Sequence, residues 1–282
     1  MAELARESLE AVRRALREDQ ASADATTRLL GATADRRVVA RFVAEGRFVV
    51  AGLPIAAAAV RELDSDVQFP ESAEGAWVGP GDVIAAIRAR AGAILSAERV
   101  ALNFLQRLSG IATATRRAVD AVAGTPARIT HTRKTTPGLR ALEQYAVRVG
   151  GGVDNRSSLA DAILWKDNHW ALLARNGKKH SLAETLRGAP GGTQVIVEVE
   201  SDAQLAEALA AGVTHLLVDN QPPERVAEWV TRAGPGITIQ ASGGITLENA
   251  RAYAEAGAAL LAIGALTHSV RAAPITCELV DD

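Results

Sequence analysis

Six short apolar runs dominate the second half of the chain: ARITHT (127–132), LADAILW (159–165), TQVIVEV (193–199), VTHLLVD (213–219), GITIQAS (236–242) and AALLAIG (258–264). Each precedes a helix-prone segment rich in alanine and glutamate, and the last four runs begin 20 to 23 residues apart. Strands that are apolar on both faces and alternate with helices form parallel β/α units with right-handed crossovers. This rhythm predicts an α/β fold, either a barrel or an open relative of one, with a seventh strand expected within 104–125. A doubly wound open sheet is the second choice.

The first half reads differently. Leu4, Leu9, Val12 and Leu16 lie at helical spacing and predict an N-terminal helix. From Arg36 to Ala93, runs such as VVARFVA and RFVVAGLPI alternate with Gly/Pro punctuation in EGAWVGPGDVI, the pattern of strands and turns in a small α+β region. Helical spacing returns between Ser96 and Val122, with Leu102, Leu105, Leu108 and Ile111.

Composition excludes several classes of function. The 31 basic and 33 acidic residues leave a formal net charge of -2, so no long-range field favours nucleic acid or an anionic membrane. The longest apolar run, residues 48–60, includes a proline and falls short of the ~18 residues needed to cross a bilayer. The opening MAELARESLEAVRRALRED carries both charges, unlike a secretory signal, and predicts a cytoplasmic protein. The lone Cys277 cannot form an internal disulfide or a metal cage and is read as a spectator.

In β/α barrels the chemistry gathers at the carboxyl ends of the strands. Those ends carry His131, Arg133 and Lys134; Lys166, Asp167, Asn168 and His169; Glu198 and Glu200; Asp219 and Asn220; Ser242, Gly243 and Gly244; and Gly264. Between the first two ends lies GGGVDNR, whose three glycines before Arg156 suit a loop that approaches a ligand closely. Basic residues are skewed to 27 Arg against four Lys. A Lys retained at a strand end therefore points to a place where a compact ammonium with a movable pKa serves and a planar guanidinium does not. Lys134 and Lys166 are such cases, whereas Lys178 and Lys179 read as surface residues.

Ser242-Gly243-Gly244 before ITLENA has the form of a phosphate cradle backed by a helix start, although the same residues also make plain tight turns. Gly264-Ala265 is a second such place. Glu198 and Asp219, one strand apart, suit a hydrated Mg²⁺ shared with substrate phosphates. Read alone, Asp219 is better placed as a helix cap before QPPERVAEW. Together these groups describe a pocket for a polyanion: a sugar phosphate bearing pyrophosphate, beside a carboxylate-bearing partner.

The segments AERVALNFLQRLSGIAT (97–113), TRKTTPGLRALEQYAVRVGGG (132–152), WKDNH (165–169), VEVES (197–201), LLVDN (216–220) and ASGGITLENA (241–250) resemble the quinolinate phosphoribosyltransferases. The likeness runs over nearly the whole chain. It implies an N-terminal α/β sandwich domain, residues 1–105, with the tail 270–282 packed on it. It also implies an incomplete, about seven-stranded α/β barrel, residues 106–269, in a homodimer or larger oligomer with sites at subunit interfaces. The implied reaction joins quinolinate to phosphoribosyl pyrophosphate with Mg²⁺, releases pyrophosphate and CO₂, and gives nicotinate mononucleotide for NAD biosynthesis. By motif, Arg133, Arg156 and Lys166 resemble the binders of the quinolinate carboxylates, with His131, Thr132, Lys134 and Asn155 beside them. Arg99 resembles an arginine contributed by the neighbouring subunit. Glu198 and Asp219 fall at positions associated with ribose and metal-linked pyrophosphate. Ser242 to Gly244 and Gly264-Ala265 match the 5′-phosphate loops. Lys134, Lys166, Glu198 and Asp219 form the expected catalytic set.

Four positions depart from the family's pattern: Asp154-Asn155-Arg156 stands where Asn-His-Arg is usual, His131 where Asp is usual, Trp165 where an aliphatic is usual, and Gln240 where an acid is usual. On strand alternation His131 and Arg133 share a face, so a histidine is expected to have moved across the pocket. Trp165 offers ring area on which a different heteroaromatic carboxylate would stack, which makes a changed acceptor the first alternative. A Schiff-base aldolase using Lys166 and a non-catalytic sensor disabled by Asn155 are the others.

Overall fold

The computed structural model describes residues 2–69, 73–175 and 181–280; Lys178 and Lys179 lie outside the described residues. The chain forms two compact units. Residues 1–116, 135–151 and 266–282 make the first, and residues 117–134 with 152–265 make the second.

In the first unit, helix α1 (Ala2–Glu18) buries Ala11, Val12 and Leu16 as one stripe. Asp24 caps α2 (Ala25–Arg28) by accepting the N–H groups of Thr26 and Thr27. Strand β1 (Arg37–Ala44) is the centre of an antiparallel sheet, flanked by β4 (Val83–Arg90) and by β11 (Ile275–Val280). The apolar run 48–60 splits in two: β2 (Phe48–Val49), which pairs with β3 (Trp77–Val78), and helix α3 (Leu53–Arg61). Gly52, at φ 103°, ends the extended segment, and Pro54 sits in the first helical turn, where its missing N–H leaves nothing unpaired. The Glu74 carboxylate accepts the N–H groups of Gly52 and Leu53 at 2.7 and 3.0 Å.

Helix α4 (Ala91–Ala121) occupies the stretch where a seventh strand was expected. Leu105, Leu108 and Ile111 are wholly buried on its apolar stripe. Its buried hydroxyls satisfy the neighbouring loop: Val49 N–H donates to Thr113 Oγ1 at 2.8 Å and Ala51 N–H to Ser109 Oγ at 3.0 Å. Helix α5 (Arg140–Val149) belongs to the same unit and buries Leu142, Ala146 and Val147.

The second unit contains the six expected strands, each inside its anticipated run: β5 (Arg128–Thr130), β6 (Ile163–Trp165), β7 (Val195–Val199), β8 (His215–Asp219), β9 (Thr238–Ser242) and β10 (Leu260–Ala262). The intervening helices are α6 (Asp167–Arg175), α7 (Leu182–Leu186), α8 (Asp202–Ala210), α9 (Pro223–Ala233) and α10 (Ala250–Glu255), and α11 (Ala265–His268) follows β10. All six strands pair in parallel in the order β5-β10-β9-β8-β7-β6, and Val153 adds a single parallel bridge to Thr130 on the free side of β5. The first strand thus lies beside the last, the cyclic order of a barrel rather than of a doubly wound sheet. The sheet stays open between Val153 and β6. Val153 therefore fills the seventh position that was looked for in 104–125.

Register and alternation divide the side chains into two rows. One row, with Val195, Val197, Val199, Leu216, Val218, Ile239, Ala241 and Leu261, is apolar and packs beneath the helices. The other carries Leu164, Ile196, Glu198, His215, Leu217, Asp219, Gln240 and Ser242 and faces the barrel interior. Midway along it lies a small cluster of Ala162, Leu164, Ile196 and Leu217. Toward the amino ends of β7 and β8, His215 Nε2 donates to Gln240 Oε1 at 3.0 Å while Gln194 Nε2 donates to His215 Nδ1 at 3.1 Å. Burial holds the His215 imidazole below its ordinary pKa.

Candidate active site

The inward row becomes charged at its carboxyl end. Glu198 and Asp219 stand on β7 and β8, and Asp219 is in register with Ser242 on β9. One residue past β6, the Lys166 ammonium lies 3.0 Å from Glu198 Oε2. Glu198 is almost wholly buried; Oε1 accepts the Asp167 N–H at 3.3 Å, and its main-chain carbonyl accepts Trp170 Nε1–H at 2.9 Å. The first turn of α6 is thus docked on the end of β7, and the Glu198 carboxylate is paired, as a buried charge must be.

Lys166 is fixed in turn by His169, whose Nδ1 accepts the Lys166 N–H at 2.9 Å. His169 occupies the third helical position and does there what Glu or Gln does in a capping box. Trp165 lies in register with Val197, on the row turned toward the helices, and packs against the rings of His169 and Trp170 at 5.2 and 6.1 Å. It is not the stacking platform for an acceptor that its ring area suggested.

Asp219 does not cap the following helix. The N-cap of α9 is Pro222, which makes no side-chain cap, and Asp219 Oδ2 accepts Asn220 Nδ2–H at 2.6 Å. Asn220 adopts a left-handed conformation at φ 51°, which Asn tolerates better than most residues, and its N–H donates to the Ser242 carbonyl at 2.9 Å. The next residues, Gly243 and Gly244, have φ of 86° and 62°. Helix α10 begins only at Ala250, so the helix start expected directly behind the glycines is not there. Asn249 stabilises the loop by accepting the Thr246 N–H and donating to the Gly244 carbonyl, at 2.8 and 3.0 Å. Gly264 and Ala265 follow β10, with Ala265 opening α11.

Around the end of β5, His131 is wholly buried. Thr132 Oγ1 accepts the N–H of the exposed Lys134 at 3.1 Å. Arg133 Nε is buried without a hydrogen-bond partner. Burial and then the nearby Arg133 hold the Arg156 guanidinium below its ordinary pKa. A partly desolvated Arg156 near a second guanidinium with an unmet Nε donor is an arrangement that suits a carboxylate-bearing anion. Asn155 turns both polar ends to the protein: Oδ1 accepts the Arg156 N–H at 2.9 Å and Nδ2 donates to the His131 carbonyl at 3.3 Å.

Glu200 lies just past β7, and burial with Asp219, Glu198 and Asp167 raises its pKa against the lowering effect of Lys166. This local excess of negative charge suits a cation. Among the described residues no group of three or more His, Cys, Asp and Glu could hold a metal, so a divalent ion here would need oxygens from a bound phosphate. Of the expected residues, those around the barrel mouth belong to the second unit, whereas Arg99 is exposed on α4 in the first. Its groove of 600 Å³ also includes Arg14, Arg107 and Phe104. Asn220 and His169 were visible at strand ends in the sequence but not as members of the site. Their roles depend on a left-handed turn and on a cap that spacing alone does not display.

Residues 24–109 match the N-terminal domain of quinolinate phosphoribosyl transferase, and residues 111–277 match its C-terminal domain. A probable nicotinate-nucleotide pyrophosphorylase [carboxylating] of Bacillus subtilis is 42% identical over 242 residues, 85% of this chain and 83% of that protein. The nicotinate-nucleotide pyrophosphorylase [carboxylating] of Mycobacterium leprae is 40% identical over 275 residues, 95% of each. The crystal structure of NadC from Streptococcus pyogenes superimposes with a TM-score of 0.89 at 35% identity, covering 97% of this chain and 96% of that one. Both domains of the match, the near-complete coverage and the shared fold lead to one conclusion: the chain belongs to the quinolinate phosphoribosyltransferase family.

Proposed function

We propose that the chain transfers the phosphoribosyl group of phosphoribosyl pyrophosphate to quinolinate with decarboxylation, giving nicotinate mononucleotide, pyrophosphate and CO₂ in NAD biosynthesis. The observation that carries this reading is the alignment of Lys166, Glu198, Asp219 and Ser242 at neighbouring strand ends, in the same barrel as the pair Arg133 and Arg156. The quinolinate carboxylates meet Arg133 and Arg156, with Lys134 as a further cation. The 5′-phosphate meets the backbone of Ser242 to Gly244 and of Gly264-Ala265. Glu198 and Asp219 face the ribose.

The pyridine nitrogen lone pair forms the new bond to the anomeric carbon as the carbon–oxygen bond to pyrophosphate breaks and the leaving group takes its electron pair. Positive charge develops on the ribose ring, and the fixed carboxylate of Glu198 stabilises it. Holding both reactants in line removes up to ~7 to 11 kcal/mol of barrier in principle. The quaternary ring nitrogen then stabilises the electron pair left on the adjacent carbon when CO₂ departs, and a proton from solvent completes the product. Glu198 and Asp219, with Glu200 beside them, would hold a hydrated Mg²⁺ together with the substrate, and the ion would supply charge neutralisation for the leaving group. A Schiff-base aldolase would use Lys166 but would not need the Glu198, Asp219 and Ser242 set that stands beside it.

In this reading Arg99 serves the site of a second copy in a cytoplasmic homo-oligomer. No described helix is long and apolar enough to cross a membrane. Pyrophosphate release is measured with phosphoribosyl pyrophosphate, Mg²⁺ and a panel of pyridine, imidazole and pyrazine carboxylates. Quinolinate as the preferred acceptor supports the reading, and preference for another acid replaces it.

A further inference from the structure

The segment Val153 to Arg156 hangs on the end of β5 by a chain of hydrogen bonds. Val153 N–H donates to the Ile129 carbonyl at 2.8 Å, and Thr130 Oγ1–H donates to the Val153 carbonyl at 2.9 Å. One step further along, the Asn155 N–H donates to His131 Nε2 at 3.2 Å, and Asn155 Nδ2–H returns a bond to the His131 carbonyl at 3.3 Å. Asp154 Oδ1 lies 3.4 Å from the same ring nitrogen. His131 has no exposed surface, so its ring faces protein and not an open pocket. Beyond the clamp, Asn155 Oδ1 accepts the Arg156 N–H and Arg156 Nη1–H donates to the Ala162 carbonyl, at 2.9 and 3.3 Å.

This arrangement brings two like charges together. Arg133 and Arg156 repel, burial strips hydration from Arg156, and Arg133 Nε is buried with no hydrogen-bond partner. A free loop would relax by swinging Arg156 into solvent, since desolvated like charges are costly. We propose that His131 is a positioning residue, which uses its ring nitrogen and carbonyl to clamp the Asp154-Asn155 turn so that the Arg156 guanidinium is held beside Arg133 before the acid arrives. The inference rests on the reading of Arg133 and Arg156 as the acid-binding pair. The acid then meets a site already assembled, and the ordering cost of the loop falls on folding rather than on binding. The expected histidine across the pocket is, in this account, a prop behind the pocket wall.

The test compares His131→Ala, His131→Gln and Asn155→Ala with the wild type. Gln retains an acceptor for the Asn155 N–H. In the ligand-free enzyme, amide hydrogen exchange at Asn155 and Arg156 accelerates about tenfold in both alanine variants and stays near wild type in His131→Gln. KM for quinolinate rises about tenfold in the alanine variants, the effect of one lost buried hydrogen bond, while KM for phosphoribosyl pyrophosphate moves less than about twofold. Should His131→Ala fail to fold, Asn155→Ala carries the same expectation. Unchanged exchange and unchanged KM in the alanine variants overturn the clamp, as does His131→Gln behaving like His131→Ala. If quinolinate supports no turnover in the wild type, the acid-pair reading fails instead, and hydrogen exchange alone then decides the clamp.

Discussion

A Cβ on Gly243 would lie 2.1 Å from Oδ1 of Asn220, so the strand-end loop after β9 exists in this form only because position 243 has no side chain. The φ of 86° there adds a backbone cost for any other residue. Gly243→Ala is expected to raise KM for phosphoribosyl pyrophosphate by about tenfold or more and to destabilise the protein by about 1 to 3 kcal/mol. Adding Asn220→Ala removes the side-chain part of the clash but leaves the main-chain nitrogen of residue 220 at 2.8 Å and the left-handed strain, so the double variant recovers only part of the stability. Thermal denaturation of the four proteins measures the coupling.

His169 fixes Lys166 through its main chain and not through the reacting atoms. His169→Ala removes the cap, worth ~1 kcal/mol of local order, and is expected to lower kcat about tenfold with a smaller effect on either KM. His169→Gln restores an acceptor at the same helical position and is expected to recover most of kcat. Equal loss in both variants would show that the imidazole has a different role.

Arg99 stands on α4 in the first unit and Lys166 at the barrel mouth in the second. If each site takes Arg99 from a second copy, Arg99→Ala and Lys166→Ala are each inactive alone. Unfolded together in equal amounts and refolded, they recover about a quarter of wild-type activity as dimers, since half of the dimers carry one intact site. No recovery would contradict the sharing of Arg99 between copies, and an active Arg99→Ala would place Arg99 outside the catalytic assembly.

Much of the second unit was legible because parallel strands covered by helices must be apolar along the covered row. Val195, Val197 and Val199 repeat that demand, and it marks β7 without reference to its neighbours. The seventh strand was misplaced for a related reason. α4 is buried along much of its length, so its apolar residues are dense enough to resemble a strand, whereas Val153 contributes a single bridge, too short for any pattern. Strand-end charges such as Glu198 and Asp219 stood out because a buried row has few reasons to hold them. The supports did not: a helix cap made by His169, or an N-cap supplied by Pro222 where Asp219 seemed suited, depends on backbone conformation. Trp165 was misread because its ring was considered before its parity, which places it with Val197 on the helix side.

His215 gives a pH dependence of stability. Burial lowers its pKa in the folded chain from the ordinary 6.5, while unfolding restores that value. Below 6.5 the unfolded chain binds the proton more readily, so the stability contributed by the neutral ring is complete above 6.5 and is lost as pH falls toward the depressed folded value. The drop in Tm between about pH 7.5 and about pH 5.5 is expected to be smaller in His215→Gln than in the wild type. An equal drop in both would assign the acid sensitivity to other groups.

The central claim is that one barrel mouth grips a pyrophosphorylated pentose and a flat diacid and carries both bond changes. The direct measurement is a single-turnover reaction with phosphoribosyl pyrophosphate, Mg²⁺ and quinolinate labelled in its 2-carboxylate, in which labelled CO₂, pyrophosphate and mononucleotide are followed together. The account predicts equimolar appearance of all three, abolished in Glu198→Gln. Pyrophosphate without mononucleotide, or mononucleotide that retains the label, would contradict it.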